Sequence, residues 1–356
     1  MALFDVCHVN LAKGFRGGER QTELLVKGLA EHGFVQAVVL RSGAGLERRL
    51  AEVPKVGIRP VGSSLLHALR ASRGARLLHA HEGRAVHVGY LRKLLSRTPY
   101  VVTRRVNHPP GSDWFTRRVY RNADAIIGLS QAVRRTLAAY QHGMDARIIP
   151  SALSRLRRDP DNVRRLRARY PGKFVVGHIG ALDQATKGQL FLIQAARAIE
   201  VSHPDIHFLF VGEGRDEALL RGEAEKLRNV SFIGFSDHVG DWLSTFDLFA
   251  FPSLQEGLGS ILLDALDFAL PVVASDVGGI PDVISHGENG LLVPPANPAA
   301  LKNAILALYS DNGRRNAMSR AASEAAGHYT AERMVDAYLE VYRSIVPGLG
   351  TSKKRP

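Results

Sequence analysis

Three short stretches carry residues whose types and spacing could do chemistry on an anionic, hydroxyl-rich ligand. In the first, Gly17-Gly18-Glu19 follows an apolar run and opens a helical pattern from Glu19 to Ala30. Adjacent glycines let backbone amides approach an anion, and the amino end of a helix adds partial positive charge; a tight strand-to-helix turn would need the same residues. The second, Gly180-Ala181-Leu182-Asp183-Gln184-Ala185-Thr186-Lys187-Gly188, sets a lysine at a helix start. The macrodipole favours anions there, so Lys187 implies either a bound anion or an ammonium kept in water. The third, Phe251-Pro252-Ser253-Leu254-Gln255-Glu256-Gly257-Leu258-Gly259-Ser260, runs from an apolar strand to Ser260, read as an amino-terminal cap. The helix beyond it, with Ile261, Leu262, Leu263, Ala265, Leu266 and Phe268, is apolar nearly all round and therefore buried. Asp264 inside it needs a partner, because an unpaired carboxylate among apolar groups costs several kcal/mol. A ligand hydroxyl and the helix's own amino end are the two candidates, and Glu256 poses the same choice.

The elements that must position these loops alternate as βαβα along the chain. Strands are predicted at 3–9, 35–40, 76–79, 100–103, 125–129 and 147–149, then again at 174–178, 207–211, 230–233, 248–251, 272–274 and 291–293. Helical patterns between them predict parallel sheets covered on both faces, the α/β class. Residues 151–172 interrupt the rhythm with Ser, Arg, Asp and Pro, and read as a basic linker between two doubly wound, Rossmann-like domains. Ligands of open parallel sheets bind beyond the carboxyl ends of the strands, where all three loops stand. Two such rims predict an active site in a cleft between the domains.

Composition removes several classes. Of 356 residues, 45% are hydrophobic and 23% charged, which is ordinary globular usage and excludes disordered and disulfide-scaffold chains. Cys7 is the only cysteine and reads as a core thiol. No apolar run approaches the ~20 residues of a membrane span, and Asp5 stands where a signal peptide carries positive charge, so a cytoplasmic protein is expected, peripheral at most on the inner face of the membrane. The net charge of +13 is unevenly spread: +14 over residues 1–150, +5 over 151–170 and −6 over 171–356. Only the first half therefore suits an anionic partner. No recognisable nucleic-acid module accompanies it, and 37 of the 47 basic residues are Arg, as a codon-biased genome would also produce.

Taken together, Gly17-Gly18-Glu19, the Lys187-Gly188 helix start and Glu256-Gly257-Leu258-Gly259 with an acid eight positions on resemble glycosyltransferase family 4, the retaining enzymes of GT-B fold, and among them bacterial cell-envelope and lipopolysaccharide-type transferases. The similarity continues through Pro271-Val272-Val273-Ala274-Ser275-Asp276-Val277-Gly278-Gly279-Ile280-Pro281 and Gly287-Glu288-Asn289-Gly290-Leu291-Leu292-Val293. It implies an acceptor-binding domain over 1–150, a nucleotide-sugar-binding domain over 173–328 and a C-terminal helix at 329–346 packing back toward the first domain; after that helix, Pro347 and the Gly, Lys and Arg residues read as a disordered basic tail at 347–356. The implied reaction moves a sugar from a nucleotide-diphosphate sugar, a UDP-sugar on this reading, to a glycan or glycolipid with retained configuration. It needs no metal or other cofactor.

The resemblance gives catalytic weight to Lys187, which would neutralise the donor diphosphate, and to Glu256, which would approach the donor sugar. Gly17, Gly18, Gly180 and the backbone of Gly257, Leu258, Gly259 and Ser260 would hold sugar and phosphate, and Asp264 the ribose. Two departures stand out: Asp264 replaces the usual Glu, and Ala181 replaces an Arg that many members use beside the Lys. Arg16 is a candidate substitute cation. His81, Arg84, Arg104, Arg105 and Asn107 are the candidate acceptor residues, with an anionic glycan or glycolipid as acceptor; His79 and His108 lie among them, and Arg105 stands near where members often have a His. Trp114-Phe115-Thr116-Arg117-Arg118-Val119-Tyr120-Arg121 mixes aromatics and cations as membrane-surface segments do, and as a packed helix with a solvated basic face also would.

Two motifs point elsewhere. Val211-Gly212-Glu213-Gly214 imitates a dinucleotide fingerprint but has Glu217 at the third glycine position, and reads as another loop near the nucleotide. Asp159-Pro160-Asp161 resembles a metal motif, yet it does not follow a strand, and helix capping by Asp161 is the simpler reading. A sugar-nucleotide epimerase, a phosphorylase on the same fold and a non-catalytic glycan- or lipid-binding protein remain alternatives.

Overall fold

A computed structural model describes residues 3–350. The chain divides into two compact units, one of residues up to Ala152 together with those from Tyr329 onward, the other Leu153–His328.

In the first unit the elements are β1 (Phe4–Asn10), α1 (Gly17–Glu31), β2 (Gln36–Arg41), α2 (Gly45–Leu50), β3 (Val56–Val61), α3 (Leu65–Ala71), β4 (Ala75–Ala80), α4 (Gly83–Ser96), β5 (Tyr100–Arg104), α5 (Trp114–Arg121), β6 (Ala125–Gly128), α6 (Gln131–Tyr140) and β7 (Arg147–Ile148). The strands form one parallel sheet in the order β3-β2-β1-β4-β5-β6-β7. Strand β3 was not expected from the sequence. Gly57 and Pro60 disguise it, and it survives because an edge strand has one side with no ladder to satisfy. Helix α1 starts two residues before the expected Glu19, with Arg16 as cap and the Glu19 carboxylate accepting from the Arg16 amide at 2.9 Å.

The second unit holds α7 (Pro160–Arg167), β8 (Phe174–Ile179), α8 (Gln184–Lys187), α9 (Gln189–Ile199), β9 (Ile206–Val211), α10 (Glu217–Ala224), β10 (Val230–Gly234), α11 (Val239–Leu243), β11 (Leu248–Phe251), α12 (Ser260–Asp267), β12 (Val272–Ser275), a single 3-10 turn (Ile280–Asp282), β13 (Gly290–Val293), α13 (Pro298–Ser310) and α14 (Asn312–Ala326). Its parallel sheet runs β10-β9-β8-β11-β12-β13. The stretch expected as linker contains α7, whose cap is Asp159 and not Asp161: Asp159 accepts from the amides of Asp161 at 2.9 Å and Asn162 at 3.4 Å, with Pro160 in the first turn. Arg167 then ties α7 into the unit through the Thr245 carbonyl at 2.9 Å and the Asp247 carboxylate at 3.0 Å.

The last helix, α15 (Ala331–Ile345), belongs to the first unit. Its apolar face, with Val335, Tyr338, Leu339 and Tyr342, packs on Val6, Leu25, Leu77, Val101 and Ile127. Gly28 lets α1 approach it, since a Cβ there would collide with Val335. Residues 347–350, expected to be disordered, are ordered: Leu349 is fully buried and the Gly348 carbonyl accepts from Arg76 at 3.2 Å. The rest of the expected tail, 351–356, lies outside the described residues. Among the described residues no helix is long and apolar enough to cross a membrane. Cys7 is buried in the first core, and burial pushes its thiol up to about 12, so it is an inert packing group.

Candidate functional site

In each sheet the strand order reverses once, between β1 and β4 in the first unit and between β8 and β11 in the second, and such switch points are where open parallel sheets bind ligands. In the second unit the Lys187 stretch follows β8 and the Glu256 stretch follows β11, so both flank the switch point. They are locked together through the backbone: the amides of Leu254 and Gln255 donate to the Thr186 carbonyl at 2.9 and 3.2 Å. Gly188 makes this possible. It has φ +64°, and a Cβ there would sit well inside 3.0 Å of the Pro252 carbonyl oxygen.

Docking the loops pairs Lys187 with Glu256, whose Oε1 also accepts from the Ser253 hydroxyl at 3.1 Å. The Lys187 ammonium lies 5.4 Å from the centre of the Phe251 ring, and the two side chains are 24% and 10% exposed, so the pair is largely shielded without being sealed. Gly278 lets the Pro271–Pro281 stretch close over Glu256, and the Gly279 amide donates to the Glu256 carbonyl at 3.2 Å. The structure therefore joins Lys187 and Glu256, 69 residues apart in the chain, at one spot.

Gly257, Leu258 and Gly259 are buried behind this pair, and Gly259, at φ +83°, turns the chain into α12. Ser260 is the first helical residue; the expected cap position belongs to Gly259, which contributes no side-chain oxygen. Asp264 is 6% exposed and has found a partner: its carboxylate accepts from the amide of Ser154 at 2.6 Å and the Ser154 hydroxyl at 3.1 Å. Neither candidate weighed for Asp264 in the sequence, ligand or helix terminus, accounts for these bonds.

The wall beside Lys187 contains two residues that sequence reasoning passed over. His178, in β8, donates from Nδ1 to the Ala250 carbonyl at 3.0 Å, which leaves Nε2 to accept from the Gln189 amide at 3.3 Å. That same amide nitrogen donates to Ala181 at 2.7 Å and fixes the Gly180-Ala181 turn. Burial lowers the His178 proton affinity to about 4, with Lys187 adding to the effect. The only signal in the sequence was a histidine within an apolar strand. The Gly212-Glu213-Gly214 loop supports this turn from behind: the Leu182 amide donates to the Glu213 carbonyl at 3.1 Å, and a Cβ on Gly212 or Gly214 would strike the backbone of Gly180 or Leu182. Those glycines serve close backbone packing.

In the first unit, Gly17 and Gly18 form the first turn of α1 after β1, and the Arg105 side chain lies across Gly18, where a Cβ would meet its Cδ at 3.4 Å. Arg16 is exposed at the same turn. His79 lies within β4, fully buried, with Nδ1 on the Tyr342 hydroxyl at 2.6 Å and Nε2 on the Thr103 hydroxyl at 2.7 Å. His81 follows β4 and is 3% exposed. Arg104 is committed to structure, donating to the Tyr120 hydroxyl at 3.2 Å and to the His108 carbonyl. Asn107 accepts from Thr136 at 2.8 Å, and Arg84 is exposed with a bond to the Ser63 carbonyl at 2.5 Å. His81 and Arg105 thus stand just beyond the carboxyl ends of the paired strands β4 and β5, while Arg84, Arg104 and Asn107 hold loops. In α5, Val119 and Tyr120 are buried and Phe115 packs against His87 and Tyr90, leaving Trp114 exposed at 74% beside Arg117, Arg118 and Arg121.

Two family models match the chain, Glycosyltransferase Family 4 over residues 15–154 and Glycosyl transferases group 1 over 173–311. The chain belongs to glycosyltransferase family 4. Among curated relatives this family-4 chain is 29% identical to an alpha-D-kanosaminyltransferase of Streptomyces kanamyceticus over 78% of its own length and 79% of the relative's. It is 24% identical to the lipopolysaccharide core biosynthesis glycosyltransferase LpsE of Rhizobium meliloti, over 95% and 99%. A phosphatidyl-myo-inositol mannosyltransferase of Mycobacterium leprae is 32% identical, but over only 50% of this chain, which spans about half (49%) of that relative's length. Anabaena HepE, solved with UDP and glucose, superposes with a TM-score of 0.84 over 96% of this chain and all of the other at 19% identity. The two Rossmann-like units are thus those of GT-B glycosyltransferases.

Proposed function

We propose that the chain transfers a sugar from a nucleotide-diphosphate sugar, a UDP-sugar, to a hydroxyl of a glycan or glycolipid, with retained anomeric configuration and without a metal. One observation carries the reading: Lys187 and Glu256 meet at the β8/β11 switch point, the place where a family-4 chain needs a cation and a carboxylate. Cleavage of the donor leaves a diphosphate and a sugar with oxocarbenium character, so most of the catalysis is charge placement and orientation. Lys187 would turn from Glu256 to the diphosphate, and Glu256, released, would face the sugar. The amides from Gly257 to Ser260 at the start of α12 would hold phosphate and sugar, and Asp264 the ribose beyond its Ser154 bonds. UDP is favoured because solved relatives of this fold carry UDP and UDP-glucose.

For the acceptor, the +14 of residues 1–150 and the exposed Trp114-Arg117-Arg118-Arg121 face support an anionic glycolipid approached from the cytoplasmic side of a membrane. The LpsE relative is named for lipopolysaccharide core synthesis, which agrees with that class.

A thermal-shift screen against nucleotide sugars, followed by UDP release with and without membrane glycolipid, tests the reading. Stabilisation by UDP-sugars and glycolipid-dependent UDP release, lost in Lys187→Ala and Glu256→Gln, is expected. Net isomerisation of the donor without acceptor, or turnover untouched by both substitutions, would reject it.

A further inference from the structure

At the β1/β4 switch point of the first unit, a chain of hydrogen bonds fixes the protonation of a buried histidine from a backbone carbonyl outward. The Val26 carbonyl can only accept, so the Gln36 nitrogen that bonds it at 2.9 Å donates, and the Gln36 oxygen faces His8. That oxygen accepts from His8 Nε2 at 3.0 Å, placing the His8 proton on Nε2. His8 Nδ1 is then a lone pair, and it accepts from His81 Nε2 at 2.9 Å. The His81 proton is therefore on Nε2, and its Nδ1 carries a bare lone pair. That Nδ1 is buried with no hydrogen-bond partner in a residue 3% exposed, and the Arg105 Nε, a donor, is likewise buried and unpartnered. The two residues leave the same end of paired strands, His81 directly after β4 and Arg105 directly after β5, which run parallel with Ala80 opposite Val102; burial, then the adjacent His79 and His8, and last the Arg105 cation hold the proton affinity of His81 well below the ordinary value.

We propose that His81 and Arg105 form a hydroxyl-reading subsite, in which a hydroxyl of a sugar or cyclitol donates to His81 Nδ1 while an oxygen of the same molecule accepts from Arg105 Nε. His8 and Gln36 are positioning residues, because they hold the His81 proton on the far nitrogen. This deepens the transferase reading and rests on it for the class of ligand. Two rival ligands fit the atoms less well. A phosphate or carboxylate offers acceptors and would meet the lone pair of His81 with lone pairs of its own. A metal is suggested by ring nitrogens of His8, His79 and His81 lying within 4.8 Å of one another. However, His8 Nδ1 already accepts from His81, both nitrogens of His79 are bonded to Tyr342 and Thr103, and the Arg105 cation stands beside the cluster. The subsite therefore reads a neutral hydroxyl, and any anionic part of the acceptor binds elsewhere.

Ring-nitrogen NMR of the histidine-labelled full chain at neutral pH tests this, with the His81 signals assigned from His81→Gln. That substitution keeps a nitrogen able to donate to His8 and removes only the Nδ1 acceptor, so melting temperature and UDP binding should hold. The free protein should show His81 with a protonated Nε2 and a bare Nδ1. Methyl α-glucoside or myo-inositol shifting the bare nitrogen would place an acceptor hydroxyl there; UDP-glucose shifting it where UDP alone does not would place the donor sugar there. Either supports the subsite, and the effective probe should bind about three- to tenfold more weakly to His81→Gln, the loss of one hydrogen bond. A proton on Nδ1, or a shift produced only by inorganic phosphate or by zinc, overturns it. If UDP binds and no polyol or UDP-glucose moves the signal, the subsite falls and the transferase reading stands; if neither UDP nor UDP-glucose binds, that reading fails separately.

Discussion

Replacing Gly188 by alanine should unlock the two loops that bring Lys187 to Glu256. The residue sits at φ +64°, a conformation that costs an L residue about 1–2 kcal/mol. The added Cβ would also be 3.3 Å from the Pro252 carbonyl carbon and closer still to its oxygen, and neither belongs to a side chain that could swing away. Relief requires the loops to part, which loses the bonds from Leu254 and Gln255 to the Thr186 carbonyl at about 1 kcal/mol each. The sum is about 3–4 kcal/mol, a large share of a typical domain's stability. Urea unfolding gives the loss directly, and the UDP-induced thermal shift reports the site. Gly222→Ala in α10 is the matched control: no atom lies within 4 Å of its Cβ and the residue is helical, so it should gain about 0.5–1 kcal/mol. If Gly188→Ala costs less than about 1 kcal/mol, or moves stability in the same direction as Gly222→Ala, the backbone-locking argument is wrong.

Two further outcomes follow from buried groups. His178 is held neutral with its affinity lowered to about 4, so the unfolded chain binds more protons below 6.5; its contribution is present above that pH and is lost as pH falls toward 4, by about 3 kcal/mol, which urea midpoints of wild type and His178→Gln across that range will show as a difference that closes on acidification. Asp264→Ala strands the Ser154 amide and should cost about 1–3 kcal/mol; a ribose contact would also make the variant bind UDP and 2′-deoxy-UDP alike, and an unchanged preference between them would remove Asp264 from the nucleotide site.

Alternation of apolar runs and helical patterns was enough to find both sheets, because buried parallel strands are continuous apolar stretches. Val56–Val61 escaped that signal: an edge strand with Gly57 and Pro60 has no such stretch. Helix α7 was hidden for the opposite reason, since a surface helix of Arg and Asp offers one buried residue, Leu166, and only its cap and Pro160 betray it. Glycine loops, Lys187 and Glu256 were visible as chemistry because charge beside Gly after a strand is unusual. Their pairing was not visible, as it depends on which strands adjoin the reversal of strand order. The same limit applies to Asp264, whose partner Ser154 lies 110 residues away, and to His8 and Gln36, which act on His81 across three strands.

Helix α15 gives the chain an unusual order of completion. Tyr338 bonds Thr103, Tyr342 bonds His79, and the helix covers one face of the first sheet, yet all of Leu153–His328 is synthesised before it. On the ribosome the second unit can close as a continuous segment while the first waits with Val6, Leu77, Val101 and Ile127 uncovered. The amino-terminal unit should therefore be the last to become protease-resistant, and nascent chains stopped near His328 should be the form that chaperones hold.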